Sequence, residues 1–513
     1  MQKSLKLLGL RLCDHDSNIS YFDGQKVHYF KSERYKQVKH HGYNNLWEWR
    51  HDIKDLWNVD YKDIDEIAIV IDPQIQNLPV DNLEFYPSLE YDYLPIHCKV
   101  HRVNHHLAHA LSCWPIQKDR PKYEIIIDGF GDVSGTELTS SAYQLCAWTV
   151  IKNDKVYERG HVEQHGSLGK EMHQAGRWLN IEYSDNTEID VAGKLMGLQS
   201  YGKILPLFKN KLNYDMYSID KLFDVQRYFD HMGSELLGTL KPLDWIRTVH
   251  DKVSDILVDF FETVTNKDYN APISYSGGVA QNVIWNTALK NKFKNLVIPP
   301  HCNDEGLSLG ALEYLRVKNN LPKFDIDNFP YCQSDQSPTT IADDHTIRKT
   351  VELLKKGKII GWYQGHGEIG PRALGNRSLL INPMMKNAKE ILNRVKKREN
   401  YRPFGASILK EFQKEYFGTD IYNPYMLYIG YTKYPNLDSI THIDGSCRYQ
   451  TVDSGVFYKL LKQFYNETGC PLLLNTSFNI NGKPILGSIQ DTQEYFYQSD
   501  IDTLVVGNTL LEK

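Results

Sequence analysis

Glu124-Ile125-Ile126-Ile127-Asp128-Gly129-Phe130-Gly131-Asp132 reads as a buried strand that ends on a carboxylate and runs into a glycine turn. A short apolar run bounded by turn residues fits a strand covered on both faces. Asp128 then stands at a strand end, where side chains reach site edges. Ala142–Ile151 and Val156–His161 continue as further strands, so the segment opens a meander. The same pattern stands near the N-terminus: Leu5–Leu12, a turn at Asp14–Asn18, Ile19–Phe22, the turn Asp23-Gly24, and Lys26–Phe30. Asp-Gly between apolar runs is a hairpin signal. Ile67–Ile71 reads as another buried strand. Twice, therefore, a strand ends in a short polar loop beside a hairpin.

That duplication suits an α/β chain of the actin/hexokinase type, in which two such loops cradle phosphates from opposite sides. Ile273-Ser274-Tyr275-Ser276-Gly277-Gly278-Val279-Ala280-Gln281-Asn282 reads as strand, glycine turn and helix start. Glycine has no Cβ, so backbone can approach a nucleotide closely there. Helical patterns dominate about 205–270. Tyr331–Thr340 is polar and turn-rich and reads as a linker. After it the pattern restarts, with a helix at Ile347–Lys356, a strand at Gly357–Tyr363, and a long basic loop and helix through Pro403. This reading gives a first domain over 1–340 and a second over 341–513.

Composition limits the function classes. The 513 residues are 41% hydrophobic and 24% charged, as in a globular protein. A formal net charge of -5 speaks against a broad nucleic-acid footprint. Eight cysteines without a CxxC pair read as reduced thiols of a cytoplasmic protein. The apolar stretch at the start is too short for a signal peptide. No run approaches the roughly 18–20 apolar residues of a membrane helix, so no membrane partner is expected.

Two constellations carry chemistry. His105 and His109, in Asn104-His105-His106-Leu107-Ala108-His109-Ala110, are four apart and share one helix face. Two imidazoles with Asp128 make an open site for a borderline metal such as iron, zinc or manganese. Such a pair alone usually does nothing; the carboxylate at the strand end and the chemistry further along the chain give it weight. The second is a dense basic cluster: Gly367–Ser378 with Arg372 and Arg377, then Asn393–Glu399 with Lys396, Lys397 and Arg398, then Tyr401-Arg402-Pro403-Phe404. Guanidinium forks bind phosphate or carbamate oxygens through paired hydrogen bonds, which suits a small polyanion with a nucleotide triphosphate. Lys396-Lys397-Arg398 taken alone reads more readily as a solvated helix face. Asn475–Asn479 follows the apolar run Pro471–Leu474, where polar groups form either a site edge or a turn.

In order along the chain stand His15-Asp16-Ser17, HHLAH, the DGxG-type loop, Gly193-Lys194-Leu195-Met196-Gly197-Leu198, SGGVAQN, Asn303-Asp304-Glu305-Gly306, GPRALGNRS, VKKRE-x-YRPF, the HIDG segment and NTSFN. Together they resemble the O-carbamoyltransferases of antibiotic and nodulation-factor biosynthesis over nearly the whole chain. The resemblance implies an actin/hexokinase-like (ASKHA) N-terminal module fused to an α/β module resembling the threonylcarbamoyl-adenylate synthase. It implies metal ligands His105, His109, Asp128 and Asp304, with iron(II) as the metal. It implies His15, Lys39 and Arg372 as catalytic residues, and a nucleotide site in the first module at Gly129, Gly131, Lys194, Gly277, Gly278 and Asn282. It implies a carbamoyl phosphate and ATP pocket in the second module at Arg372, Arg377, Ser378, Lys397, Arg398, Arg402, Asn475 and Ser477. Two positions depart from the pattern: Lys483 stands where the family more often has glutamate, and Ser276 replaces a small apolar residue.

The activity so implied uses ATP and carbamoyl phosphate to make carbamoyl adenylate, then carbamoylates a hydroxyl of a sugar, nucleoside or antibiotic alcohol. Two other readings stay open on the sequence. One is a tRNA-modifying threonylcarbamoyl transferase, which predicts a strongly basic surface. The other is a non-catalytic actin-like nucleotide switch, which has no use for the basic cluster at 372–402.

Overall fold

The computed structural model describes residues 5–12, 15–43, 47–70, 97–129, 131, 133–134, 144–179, 181, 188–219, 222, 241–480 and 482–513. Asp14, Phe130, Asp132 and the start of the strand expected from Ala142 lie outside the described residues. The chain divides into two compact units: Met1–Ser32 with His40–Asp327, and Glu33–Lys39 with Asn328–Lys513.

The first unit holds two sheets built on one plan. In the first, β1 (Leu7–Arg11), β2 (Asn18–Phe22) and β3 (Val27–Lys31) form an antiparallel meander. β4 (Glu66–Val70) then lies parallel to β1, and β5 (Lys99–Arg102) parallel to β4, giving the order β3-β2-β1-β4-β5. The second sheet starts at β6 (Tyr123–Ile127), whose continuation β7 (Val133–Ser134) also pairs with the long β8 (Gln144–Lys152). β9 (Lys155–His161) closes this meander antiparallel to β8. β10 (Ile273–Ser276) runs parallel to β6 and β11 (Leu296–Val297) parallel to β10. An antiparallel meander extended by two parallel strands, occurring twice, is the actin/hexokinase-type architecture that the duplicated pattern predicts. Of the helical patterns expected over 205–270, the described residues show Pro206–Lys209 and Pro242–Thr265.

The core of the first sheet is aliphatic and aromatic: Leu8, Leu10, Ile19, Phe30, Trp49, Ile53, Ile67 and Ile69 are buried together. The helix Leu307–Lys318 covers β1 at very short range. A Cβ on Gly9 would stand 2.1 Å from the Ser308 carbonyl oxygen, and one on Gly310 would stand 1.9 Å from that of Ala108. Glycine at both positions lets this helix touch the backbone of β1 and of the helix His105–Ser112.

The second unit is a single mixed sheet of eight strands packed with helices. Its strands are β12 (Ile360–Tyr363), β13 (Arg377–Ile381), β14 (Gly405–Leu409), β15 (Ile429–Tyr431), β16 (Ser446–Val452), β17 (Leu472–Ser477), β18 (Thr503–Val506) and β19 (Thr509–Glu512), in the order β15-β16-β14-β17-β13-β12-β18-β19. Helices Asp344–Lys355 and Gly455–Thr468 contribute Val351, Leu354, Leu460 and Phe464 to a core with Trp362, Leu380, Ile408 and Leu473. The stretch expected as a basic loop contains the central strand β13, where Arg377-Ser378 precede the apolar Leu379-Leu380-Ile381. Tyr331–Thr340, read as a linker, is part of this unit. Asp335 is buried there, with its carboxylate 2.9 Å from Arg377 and accepting the Gly367 N–H at 3.0 Å. Segment Glu33–Lys39 joins the same unit through Arg34, which donates to the Gly370 carbonyl at 2.7 Å.

Gly310→Ala is expected to lower stability by about 2 kcal/mol. Alanine's better helix propensity returns about 1 kcal/mol, less than the cost of forcing two backbones apart. Urea denaturation checks this; an unchanged midpoint would show that the two helices separate at no cost.

Candidate functional site

The first unit gathers His105, His109, Asp128 and Asp304 with all four ligand atoms within 4.8 Å of one another. They come from three kinds of local structure. The helix His105–Ser112 is capped by Asn104, whose side chain accepts the Leu107 N–H, and its i,i+4 spacing aligns the two imidazoles. Asp128 follows directly on β6, and Asp304 opens the 3-10 turn before the helix Leu307–Lys318. The close approach of that helix at Gly310 is what brings Asp304 to the histidines.

The donor atoms are spaced as ligands of one ion. His105 Nε2 and His109 Nε2 are 3.2 Å apart, and Asp128 Oδ2 is 3.2 and 3.0 Å from them. Asp304 Oδ1 is 3.5 Å from each. Ligands about 2.1 Å from a common metal stand roughly 3.0 Å apart at right angles and roughly 3.4 Å apart in a tetrahedron. Two imidazole nitrogens facing each other also satisfy one another poorly as hydrogen-bond partners. This donor set fits a divalent borderline metal.

The carboxylates are oriented from behind. Asp128 Oδ1 accepts the N–H groups of Gly129 at 2.7 Å and Gly278 at 2.9 Å, which turns Oδ2 to the histidines. Gly277, with φ +96°, and Gly278 are needed for this approach: a Cβ on Gly278 would sit 2.8 Å from Asp128 Oδ1. Asp304 Oδ2 accepts from Arg11 at 2.9 Å, and the Asp304 carbonyl accepts from Asn18 at 2.9 Å. Electrostatics follow. Burial alone would depress His105, but the Asp304 charge and the hydrogen bond to Asp128 outweigh it and push the imidazole up to about 10. Burial would raise Asp128 and Asp304, yet the histidines, with Arg11 beside Asp304, hold both well below the usual carboxylate range. The cluster draws one positive charge to itself, as a proton or as a cation.

His15 lies beside it. Its Nδ1 is 3.3 Å from Asp16 Oδ2 and 4.0 Å from Asp304 Oδ2. Burial lowers its pKa, but the Asp16 hydrogen bond and the Asp304 charge raise it to a net increase above 6.5. Asp16, at φ +51°, also meets His40 Nδ1 at 3.1 Å and Lys31 at 3.4 Å. Lys31 in turn pairs with Glu305 at 2.6 Å. Sequence reasoning missed Arg11, Lys31 and His40; the signal for Arg11 was a charged residue closing an apolar strand.

The remaining expected residues of this unit are placed as follows. Gly129 and Gly131 flank the end of β6. A Cβ on Gly129 would meet nothing, whereas one on Gly131 would strike the ring of His106. Lys194 is buried on the helix Val191–Leu198. Asn282 caps the helix Val283–Lys292, accepting the Ile284 and Trp285 N–H groups, and donates to His250 at 2.9 Å. Its side chain is thus engaged in the fold. Lys39 is half-buried and falls in Glu33–Lys39, which belongs to the second unit.

The second unit gathers cations. Burial and then the charges of Arg372, Arg398 and Arg402 press Arg448 well below its usual range. Burial and the charges of Arg398 and Arg402 do the same to Lys396. Desolvation and then the charge of Arg402 press the half-buried Arg398 down to about 9. Arg398 stacks over Phe404 at 3.9 Å and donates to Asn393 at 2.6 Å. Among the described residues, Arg448 Nε, Ser378 Oγ and Asn475 Oδ1 are buried without a hydrogen-bond partner. Like charges this close, with buried polar atoms left over, are the kind of arrangement that suits a polyanion.

Two expected residues are placed differently. Arg377 is fully buried and stacks on Tyr363 at 3.5 Å. Its NH1 donates to the Gln364 and Asn376 carbonyls, and its NH2 to Asp335 and the Gln336 and Gly365 carbonyls. Its fork is taken up in holding the loop. Lys397 is exposed, at φ +51° just past the end of the helix Ala388–Val395. The lysine turned inward is Lys396, whose ammonium donates to the Ser477 carbonyl at 2.5 Å and to Asn479 Oδ1 at 2.7 Å. Ser477 and Asn475 stand on β17; Asn475 donates to Ser407 at 2.9 Å and to the Ala373 carbonyl at 3.2 Å.

Inorganic pyrophosphate is therefore expected to raise the melting temperature of the wild-type chain and of Lys397→Ala alike, and to lose this effect in Lys396→Ala. At a hundredfold excess over its dissociation constant the ligand contributes about 2.7 kcal/mol, enough for a clear shift by differential scanning fluorimetry. Equal shifts in the two variants would remove Lys396 from the anion site.

Residues 94–312 match the family model of the carbamoyltransferase N-terminus, and residues 351–513 match that of the carbamoyltransferase C-terminus. Nodulation protein NolO of Bradyrhizobium diazoefficiens is 30% identical over 455 residues, covering 80% of this chain and 79% of NolO. Nodulation protein NolNO of Sinorhizobium fredii is 29% identical over 80% of this chain, but the match spans 64% of NolNO's own length. The 3'-hydroxymethylcephem-O-carbamoyltransferase of Amycolatopsis lactamdurans is 33% identical over 275 residues, 51% of this chain and 53% of that protein. With the two halves matched in order and NolO aligned over most of its length, the chain belongs to the carbamoyltransferase family.

Proposed function

We propose that this chain is an ATP-dependent O-carbamoyltransferase that activates carbamoyl phosphate as carbamoyl adenylate and carbamoylates a hydroxyl of a small molecule. The observation that carries the reading is the presence, in one member of this family, of both a two-histidine, two-carboxylate cluster and a separate gathering of buried cations. A nucleotide switch without chemistry needs neither. A sugar, nucleoside or antibiotic alcohol would each serve as acceptor.

The first half-reaction belongs to the second unit, with its α/β module acting as the adenylate-forming part. Water cleaves carbamoyl phosphate to carbamate and phosphate; a carbamate oxygen attacks the α-phosphorus of ATP, and pyrophosphate leaves. Arg372, Lys396, Arg398, Arg402 and Arg448 neutralise and align the anions, with Ser378, Asn475 and Ser477 as polar partners. Arg377 keeps the loop that carries Arg372 in shape. The rate gain comes from proximity and electrostatics.

The second half-reaction belongs to the first unit. His105, His109, Asp128 and Asp304 would hold a divalent metal, with iron(II) as our assignment, and burial keeps His106 neutral. The metal, when bound, supplies Lewis-acid polarisation of a phosphate or carbonyl oxygen. Gly129, Gly131, Gly277 and Gly278 are assigned to close backbone approach to the nucleotide, Lys194 to balancing its phosphate charge, and Asn282 to setting the helix that follows. A carboxylate can only accept, so Asp16 fixes the proton of a neutral His15 on Nδ1 and leaves the lone pair on Nε2. That nitrogen takes the acceptor hydroxyl's proton while the oxygen attacks the carbamoyl carbon and AMP leaves. Lys39, which falls in the second unit, is assigned no step here.

The direct test is mass spectrometry of candidate alcohols incubated with enzyme, ATP and carbamoyl phosphate, seeking one added carbamoyl group that depends on all three. His105→Ala and His109→Ala are expected to lose both bound metal and transfer while the chain stays folded. Metal uptake by the wild type near pH 7 is expected to release about one proton per ion, because the cation takes the place of the proton that the two carboxylates hold on His105. Calorimetry in buffers of different ionisation enthalpy measures this, and full metal occupancy in both variants would refute the ligand assignment.

His15→Asn is expected to keep pyrophosphate release and to lose carbamoyl transfer by about a hundredfold. Because the pKa of His15 is raised, transfer by the wild type is expected to climb with pH above 6.5 as the base loses its proton, and His15→Asn is expected to lose that limb. Equal loss in both half-reactions would take His15 out of the chemistry.

A further inference from the structure

Arg11 ends β1 and is 1% exposed, a costly place for a guanidinium. Its NH2 lies 2.9 Å from Asp304 Oδ2, while Asp304 Oδ1 faces both histidines at 3.5 Å. The neighbouring carboxylate is divided in the same way: Asp128 gives Oδ1 to two backbone N–H groups and Oδ2 to the histidines. One ligand is thus braced by neutral amides and the other by a full charge. Asn18 fixes the backbone at the same point, donating to the Asp304 carbonyl and accepting the Ser308 N–H at 2.9 Å.

We propose that Arg11 is a positioning residue of the metal centre: it occupies one oxygen of Asp304, so that only the other meets the metal, and it leaves the loaded centre with a net positive charge that attracts an anionic oxygen. This rests on the reading that His105, His109, Asp128 and Asp304 hold a divalent metal. A divalent ion, two carboxylates and two neutral imidazoles sum to zero, and Arg11 adds one positive charge in a site shielded from solvent. Two effects of the guanidinium oppose one another. Its charge repels the metal and drains electron density from Asp304, while its hydrogen bond holds the ligand in place before the metal arrives. Partners behind a ligand are generally worth about 10–100-fold in metal affinity, so the preorganising effect is expected to win.

The test uses the full chain titrated with cobalt(II), read by chelator competition for affinity and by the visible d–d bands for coordination number. Wild type is expected to bind one ion. R11M is expected to bind about 10–100-fold more weakly, with weaker d–d bands as Asp304 turns both oxygens to the metal and the coordination number rises. Inorganic phosphate is expected to shift the bands of wild type and not those of R11M. Affinity in R11M equal to or tighter than wild type, or an unchanged phosphate response, would overturn the proposal. If circular dichroism shows R11M unfolded, R11Q takes its place: it keeps a short polar donor but no charge, and a phosphate response like that of wild type would overturn the proposal equally. Failure of wild type to bind cobalt, with His105→Ala indistinguishable from it, would instead bring down the metal reading on which the proposal stands.

Discussion

The helix Leu307–Lys318 lies in backbone contact with β1 at Gly9 and with the helix His105–Ser112 at Gly310. The site of the first unit depends on this double contact. Asp304 stands one turn before that helix, and His105 and His109 stand on the other. At an ordinary helix spacing of roughly 8–10 Å the carboxylate and the imidazoles would not share one ion. The conformational entropy of two glycines is the cost of that approach, and it is repaid by placing a ligand nearly two hundred residues distant in sequence, about the span from His109 to Asp304, at 3.5 Å.

Each unit concentrates charge of one sign and braces much of it with neutral dipoles, Arg11 being the charged brace of the first. In the first, two carboxylates face two imidazoles, and backbone N–H groups or Arg11 brace the far oxygens. In the second, Lys396 donates to carbonyls and amide oxygens rather than to a carboxylate. Arg377 shows the opposite case, a buried cation neutralised by Asp335 and carbonyls, which makes it part of the frame. A cation already neutralised by a buried carboxylate has no charge left for a ligand, and this places Arg377 in the frame of the loop.

Much of this was legible in the chain. Alternating and continuous apolar runs marked the two meanders because strands covered on both faces need such runs, and the i,i+4 histidines needed only helical geometry to align. The histidines and Asp128 could be grouped from spacing, since β6 follows their helix closely. Asp304 could be added only by resemblance, because no local rule relates it to residue 105. The sequence does not tell which of Lys396 and Lys397 turns inward, because charge runs carry no direction. The helix ends at Val395, and Lys397 takes a left-handed conformation that turns it to solvent while Lys396 faces inward.

The amino-acid sequence by itself therefore determined the local elements, the duplicated α/β plan and the family motifs, since these depend on periodicity, turn residues and spacing over short stretches of chain. Tertiary structure alone decided which charges face a ligand and which are spent on the fold. It assigned Asp335 and Tyr331–Thr340 to the second unit, spent Arg377 on the loop carbonyls, and set Arg11 behind Asp304. The reason is physical: a charged group's role depends on what lies within about 4 Å of it after burial, and those neighbours come from distant parts of the chain whose approach no local pattern encodes.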